Sequence, residues 1–201
     1  SGELVVTSLV SLAPLMAPVL TAFQQAHSDV IVRYLTGERL FRLEYGEAHV
    51  AIRAGNVPEQ PDNVVQPFKT LKVGLFAHRS YIEKFGKPSG VEEYGNHRFV
   101  SHDDMQMWAP FFKWMQAVVP KSAMTFRCLD TNALTEAILN GAGIGFMAYE
   151  DGLKNPDLVE IHPQLPEWDS PLWLVSHVDL HRTPKVQAIL KFLKDSAKGA
   201  A

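Results

Sequence analysis

The run Ile138-Leu139-Asn140-Gly141-Ala142-Gly143-Ile144-Gly145-Phe146-Met147 constrains the fold of this chain more than any other segment. Its glycines could pass for a nucleotide-binding loop, but the order of elements is wrong for one. A dinucleotide fingerprint needs a strand, then G-x-G-x-x-G, then a helix whose N-terminus faces the pyrophosphate. Here Leu134, Ala137, Ile138 and Ala142 form an apolar stripe at helical spacing, and Gly141 fits a helix stop. The glycines therefore follow a helix and lead into a strand at residues 144–148, and Phe146 stands where a third Gly or Ala is required. Thr131 or Asp130 reads as the N-cap. The exposed N–H groups of this helix are then near Thr131, so ligand contact from this segment is expected from Thr131 and Asn132.

The rest of the chain alternates in the same way. Residues 3–7 read as a buried strand. Leu12, Leu15, Met16, Val19, Leu20 and Phe23 then recur on one helical face, with Pro14 tolerable in the first turn and Pro18 expected to bend the helix or delay its regular start. Residues 30–35 and 49–53 are strands, joined by a short helix that Thr36-Gly37-Glu38 opens and that runs to about Tyr45. This β-α-β-α-β order with short connections marks an open, mainly parallel sheet. Strands follow at residues 64–68 and 71–77, the second long enough to cross between lobes, then a helix near residues 79–85. A second βαβ run starts near Arg98: strand 98–101, aromatic helix 108–117 (Trp108, Phe111, Phe112, Trp114), strand 124–129, then the glycine segment. Strands at 158–161 and 171–177 and an amphipathic helix at 184–194 close the chain. Two α/β lobes with a cleft between them are expected.

Composition narrows the function. With 19 Lys+Arg against 22 Asp+Glu, the 201 residues carry a formal charge of -3. They offer no basic field for a phosphate backbone, so DNA contact needs another domain. The single Cys128 excludes an internal disulfide and fits a reducing compartment. It reads as a small buried residue on a strand rather than a reactive thiol. No apolar run approaches the roughly 20 residues of a membrane span, and no basic leader is present. Ser1-Gly2 followed at once by strand-like residues reads as the cut start of a longer protein.

In parallel α/β sheets, ligands sit outside the C-terminal ends of the strands. Those places are Ser8 to Ser11, Thr36-Gly37, Ala54-Gly55, Ser101-His102 and Thr131-Asn132, all small, polar or Gly. Several also start helices, whose free N–H groups suit a carboxylate or phosphate. Any one such Ser or Thr is more often only a cap; their convergence on one expected cleft is what points to a ligand. Arg39 and Arg53 lie near these ends and could pair with an anion, although a solvated Arg is the commoner outcome. His102-Asp103-Asp104 reads as a loop or cap rather than a metal site, with His102 still able to line the cleft. His177 and His181 are four apart but read as a surface turn. No G-x-S-x-G elbow or P-loop is present. No catalysis, metal or cofactor is expected.

In order and spacing, three segments resemble a known family. They are Gly2-Glu3-Leu4-Val5-Val6 followed by the helix through Phe23, then Leu43-Glu44-Tyr45-Gly46-Glu47-Ala48-His49-Val50-Ala51-Ile52-Arg53-Ala54-Gly55, and above all the glycine segment. The chain resembles the effector-binding (regulatory) domain of LysR-type transcriptional regulators, over nearly all of residues 2–195. His49 departs from the usual Asp, Ser28 from the usual Pro, and Met147-Ala148 from the usual Leu-Pro.

The resemblance implies a two-lobe type 2 periplasmic-binding-protein-like α/β fold, each lobe a mixed, mostly parallel sheet flanked by helices. Lobe I would comprise residues 1–74 and 172–201, and lobe II residues 75–171. It implies a small-molecule effector, anionic or polar, bound between the lobes by Thr7, Ser8, Ser11, Thr36, Gly37, Ser101, His102 and Thr131, with Arg53 and Met147 less directly. It also implies a winged helix-turn-helix outside this sequence as the only route to DNA, a cytoplasmic location without membrane contact, and a homodimer or homotetramer. In that pairing the first helix and second strand of one subunit lie against lobe II of another. A solute-binding protein feeding a transporter has the same fold and is the alternative.

Overall fold

The structure, a computed structural model, describes residues 2–37, 48–106 and 109–199. In chain order the strands are β1 (Gly2–Ser8), β2 (Val30–Thr36), β3 (Val50–Ala54), β4 (Asn63–Leu71), β5 (Val73–His78), β6 (Phe99–His102), β7 (Met124–Cys128), β8 (Gly145–Ala148), β9 (Leu158–His162) and β10 (Ser170–His177). The helices are α1 (Ala13–Ala26), α2 (Arg79–Phe85), α3 (Pro110–Val118), α4 (Thr131–Leu139), α5 (Tyr149–Lys154), α6 (Val178–His181) and α7 (Pro184–Lys198). The chain divides into two compact units, Ser1–Thr70 with Pro171–Ala201, and Leu71–Ser170.

In the first unit the sheet order is β2-β1-β3-β10-β4. β1 runs parallel to both β2 and β3, while β10 is antiparallel to β3. The apolar stripe read from the sequence is the buried side of α1, where Met16 and Phe23 are fully covered. Pro14 lies in its first turn and Pro18 inside it, and a single 3-10 turn, Val10–Leu12, precedes its regular start. α1 packs on α7 through an edge-to-face pair, Phe23 and Phe192, 5.4 Å apart.

In the second unit β6 and β7 are parallel, and β5 is antiparallel to both β8 and β9. A parallel bridge between Phe99 and Ile144 joins the two sets. Its bonds run from the Val100 N–H to the Ile144 carbonyl (2.8 Å) and from the Ile144 N–H to the Arg98 carbonyl (2.9 Å). The order is therefore β7-β6-β8-β5-β9, the same as in the first unit: a parallel trio, an antiparallel strand, then an edge. The second βαβ run read from the sequence is this repeat. One face of the sheet packs Phe99, Ile144, Phe146 and Trp168, and the other packs Val100, Ala137, Ile138 and Met147. Burying a large apolar side chain of this kind is worth roughly 1.5–3 kcal/mol.

The glycine segment does what its order predicted. The Ala142 N–H bonds to the Ala137 carbonyl and the Gly141 N–H to the Ile138 carbonyl, a Schellman stop with Gly141 at φ +80°. A Cβ on Gly143 would lie 2.7 Å from the Arg98 carbonyl oxygen. That close approach is what lets the Phe99–Ile144 bridge form.

Other expectations need correction. The strand that reaches the boundary of the first unit is β4, not the one read at residues 71–77, because the chain breaks pairing at Lys72. α5 was not foreseen, and His177 to His181 is not merely a turn: Val178–His181 forms one helical turn. Cys128 is half-buried rather than buried. The short helix expected after Thr36, Arg39 within it, and Trp108 at the start of the aromatic helix lie outside the described residues. Among the described residues no helix is long and apolar enough to cross a membrane.

Candidate functional site

In the first unit the C-terminal ends of β1 and β2 come together. Ser8 pairs with Thr36, and the Gly37 N–H reaches the Ser8 carbonyl at 3.4 Å. The Ser8 hydroxyl donates to the Leu9 carbonyl (2.9 Å) and shares a 2.5 Å bond with the Tyr34 hydroxyl. A hydroxyl has one proton, so Tyr34 is the donor in that second bond. Ser8 is thus satisfied internally, and its role at this edge is to hold Tyr34. Burial raises the Tyr34 pKa above its ordinary value, more than the bond to Ser8 lowers it. Sequence reasoning missed Tyr34; its place two residues before Thr36, on the same strand face, was the available signal.

Ser11 lies in the 3-10 turn ahead of α1. The N-cap of α1 is Leu12, which has no capping side chain, and the first turn holds no acidic residue. The partial positive charge of this end is therefore not offset by a side chain at the cap. Thr7 is buried and, by the two-residue period, faces the opposite side of the sheet from Ser8. Arg53 lies on β3 opposite Trp173, on the Thr7 side of the sheet. Trp173 ties down the end of that strand, its indole N–H donating to the Gly55 carbonyl at 2.8 Å.

The second unit builds a comparable edge. Ser101 pairs with Arg127 and His102 with Cys128. Ser101 is 2% exposed, and its hydroxyl has no hydrogen-bond partner. A buried hydroxyl without a partner costs about 1–3 kcal/mol. His102 accepts the Asp104 N–H at Nδ1 (3.0 Å), so a neutral ring carries its proton on Nε2. The ring stands edge-on to Phe112, 5.6 Å away. Asp104 in turn accepts the Gln106 N–H, so the carboxylate organises a loop. Among the described residues no group of three or more His, Cys, Asp or Glu could hold a metal ion.

The sequence left the cap of α4 open between Asp130 and Thr131, and the structure takes Asp130. Its carboxylate accepts the Ala133 N–H at 2.8 Å. Thr131 is the first helical residue and is exposed, so its N–H and that of Asn132 are the other orphan donors of this turn. Burial, then Asp130 and Asp103, push the Cys128 thiol up, which leaves little thiolate at neutral pH. Met147 sits with Phe76, Val100 and Ile138 in the core cluster, and only 9% of it is exposed.

Each unit thus presents hydroxyls and a helix N-terminus at the carboxyl ends of its parallel strands. These paired sheets of matching order define a two-unit α/β binding domain of the type 2 periplasmic-binding-protein kind. The LysR substrate binding domain family matches residues 1–198, and the chain belongs to that family.

Over 164 residues the chain is 29% identical to the probable HTH-type transcriptional regulator SinR of Salmonella typhimurium, which covers 76% of this chain and 50% of that protein. The chain therefore spans about half the length of that relative. The regulatory domain of CrgA, a LysR-type transcriptional regulator from Neisseria meningitidis, shares its fold at a TM-score of 0.83 and 18% identity, over 98% of this chain and 99% of that one. The AmpR effector binding domain from Citrobacter freundii matches at a TM-score of 0.74 and 14% identity, over 99% and 100% of the two chains. The family is one of transcriptional regulators, and these matches favour that reading over a transporter's solute-binding protein.

Proposed function

We propose that this domain senses a small anionic or polar metabolite in the cytoplasm, without catalysis, and passes the binding event to a helix-turn-helix domain outside this sequence. The observation that carries the reading is the buried, unpartnered Ser101 hydroxyl, one residue from the carboxyl end of β6, at the strand edge where open α/β sheets take ligands. In the first unit Ser11, Thr36 and Gly37 stand at the corresponding strand edge and are read as an effector-contacting edge of that unit. Tyr34, held by Ser8, joins that set.

The two helix ends differ in the ligand chemistry that each suits. Asp130 already places a negative charge at α4, whereas the α1 end has no acidic residue in its first turn. An anionic group is therefore favoured at the α1 end, and a neutral hydroxyl or amide at the α4 end, near Thr131. An effector shifts the regulator only by its differential affinity for two arrangements of the protein.

A thermal-shift screen of carboxylates, inorganic phosphate, sulfate and neutral polar metabolites supplies a ligand for calorimetry. Thr131→Val and Ser11→Ala should then each weaken binding by roughly tenfold, the size of a lost hydrogen bond to a charged or buried group. Unchanged affinity in both variants rejects this site.

A further inference from the structure

The chain passes between its two units twice, at Thr70/Leu71 and at Ser170/Pro171. Gln164 touches both crossings from within the second unit. Its side-chain amide donates to the Val73 carbonyl (3.4 Å), just after the first crossing, and to the Asp169 carboxylate (2.7 Å), just before the second. The bond to Asp169 is charge-assisted and the stronger of the two. The loop that carries Gln164 is anchored by Trp168, which is completely buried and whose main-chain N–H bonds to the Leu165 carbonyl.

Neighbouring bonds narrow the freedom of each crossing further. The Lys72 carbonyl accepts the Tyr149 N–H at 3.1 Å, so the first crossing is held from Lys72 onward. On the second, the Asp169 N–H bonds to the Pro166 carbonyl, and the Pro171 carbonyl accepts the Gly55 N–H at 2.9 Å. Between those two anchors stands Ser170, fully buried, with a hydroxyl that has no partner. Conformational change between domains is absorbed by a few residues where elements end. We propose that the Gln164 amide is a clamp that keeps the two crossings in step, and that it confines bending to Leu71 on one and Ser170 on the other. The clamp lies within one unit and acts whatever the effector is.

The test uses the 201-residue chain. Gln164→Met keeps length but has no donor, and Gln164→Glu places an acceptor against Asp169. Both should speed amide exchange at residues 72–74 and 169–170 on the order of fivefold, while β1 and α7 exchange as before. Spin labels at the exposed positions Gln25→Cys and Glu83→Cys, in a Cys128→Ser background, should report a broader distance distribution in the same variants. Gln116→Met, which removes an amide bonded to the Met105 carbonyl, should change neither readout. Asp169→Asn keeps a neutral acceptor and should fall between the unaltered protein and Gln164→Met in both readouts; an effect as large as or larger than that of Gln164→Met would point to general damage and count against the clamp. Unaltered local exchange and unaltered distance width in both Gln164 variants overturn the proposal. So does a loss of protection spread over the whole chain, because the amide would then be ordinary support for the fold.

Discussion

The imidazole of His49 accepts the main-chain N–H of Val5 at Nδ1, 2.8 Å away, while the His49 N–H donates to the Val5 carbonyl, also at 2.8 Å. A side chain thus stands in for the carbonyl that would extend the ladder between β1 and β3. Only the unprotonated ring nitrogen can accept that bond.

Burial, then the Lys185 ammonium, hold the His49 pKa below its ordinary 6.5, against the opposing pull of Glu3. The unfolded chain therefore takes up this proton before the folded one does. The stability contributed by neutral His49 is complete above 6.5 and is lost as pH falls from there through the lower folded value. Urea midpoints measured from about pH 7 to about pH 5 should fall, and His49→Asn, whose amide oxygen accepts at any pH, should flatten part of that slope. An unchanged slope in the variant assigns the acid sensitivity to other groups.

Gly143→Ala should be costly, because the added Cβ meets the Arg98 carbonyl oxygen at 2.7 Å and main chain cannot swing aside. A loss of about 1–3 kcal/mol is expected in thermal or urea unfolding. Gly95→Ala is the matched control: its Cβ would meet only Pro120 Cγ at 3.5 Å, an ordinary contact. Equal melting behaviour of the two variants would remove the packing account of the glycine segment.

Two of the edge strands, β2 and β7, carry exposed apolar residues that self-pairing would use. Ile31 on β2 is 59% exposed, Phe126 on β7 is 45% exposed, and Leu129 just beyond it is 60% exposed. Such edges either pair or are guarded by charge. The pairing that the sequence resemblance implies, α1 and β2 of one copy against the second unit of another, should give a dimer by light scattering at high concentration. Ile31→Lys and Phe126→Lys should shift it to monomer, each with a stability change within about 0.5 kcal/mol. A monomeric mass for the unaltered chain at high concentration counts against this pairing.

Much of the architecture is legible in local pattern. The stripe from Leu12 to Phe23 marks α1, and the order helix, Gly141, strand excludes a nucleotide loop. Asp130 and Thr131 mark the start of α4, although the sequence could not choose between them, since both residue types accept a backbone N–H. α5 and α6, with 6 and 4 residues, escaped because fewer than two turns cannot display a helical period.

By itself the sequence determined the alternation of elements, the faces they bury and the small polar residues at the strand ends, because each depends on periodicity over a few residues. Only the tertiary structure decided which strands are neighbours and which side chains meet. The Phe99–Ile144 bridge that completes the second sheet, the Ser8–Tyr34 bond, and Gln164 reaching Val73 across 91 residues are such meetings. Partners so far apart in the chain leave no periodic trace, since chain packing rather than local conformational preference brings them within bonding distance.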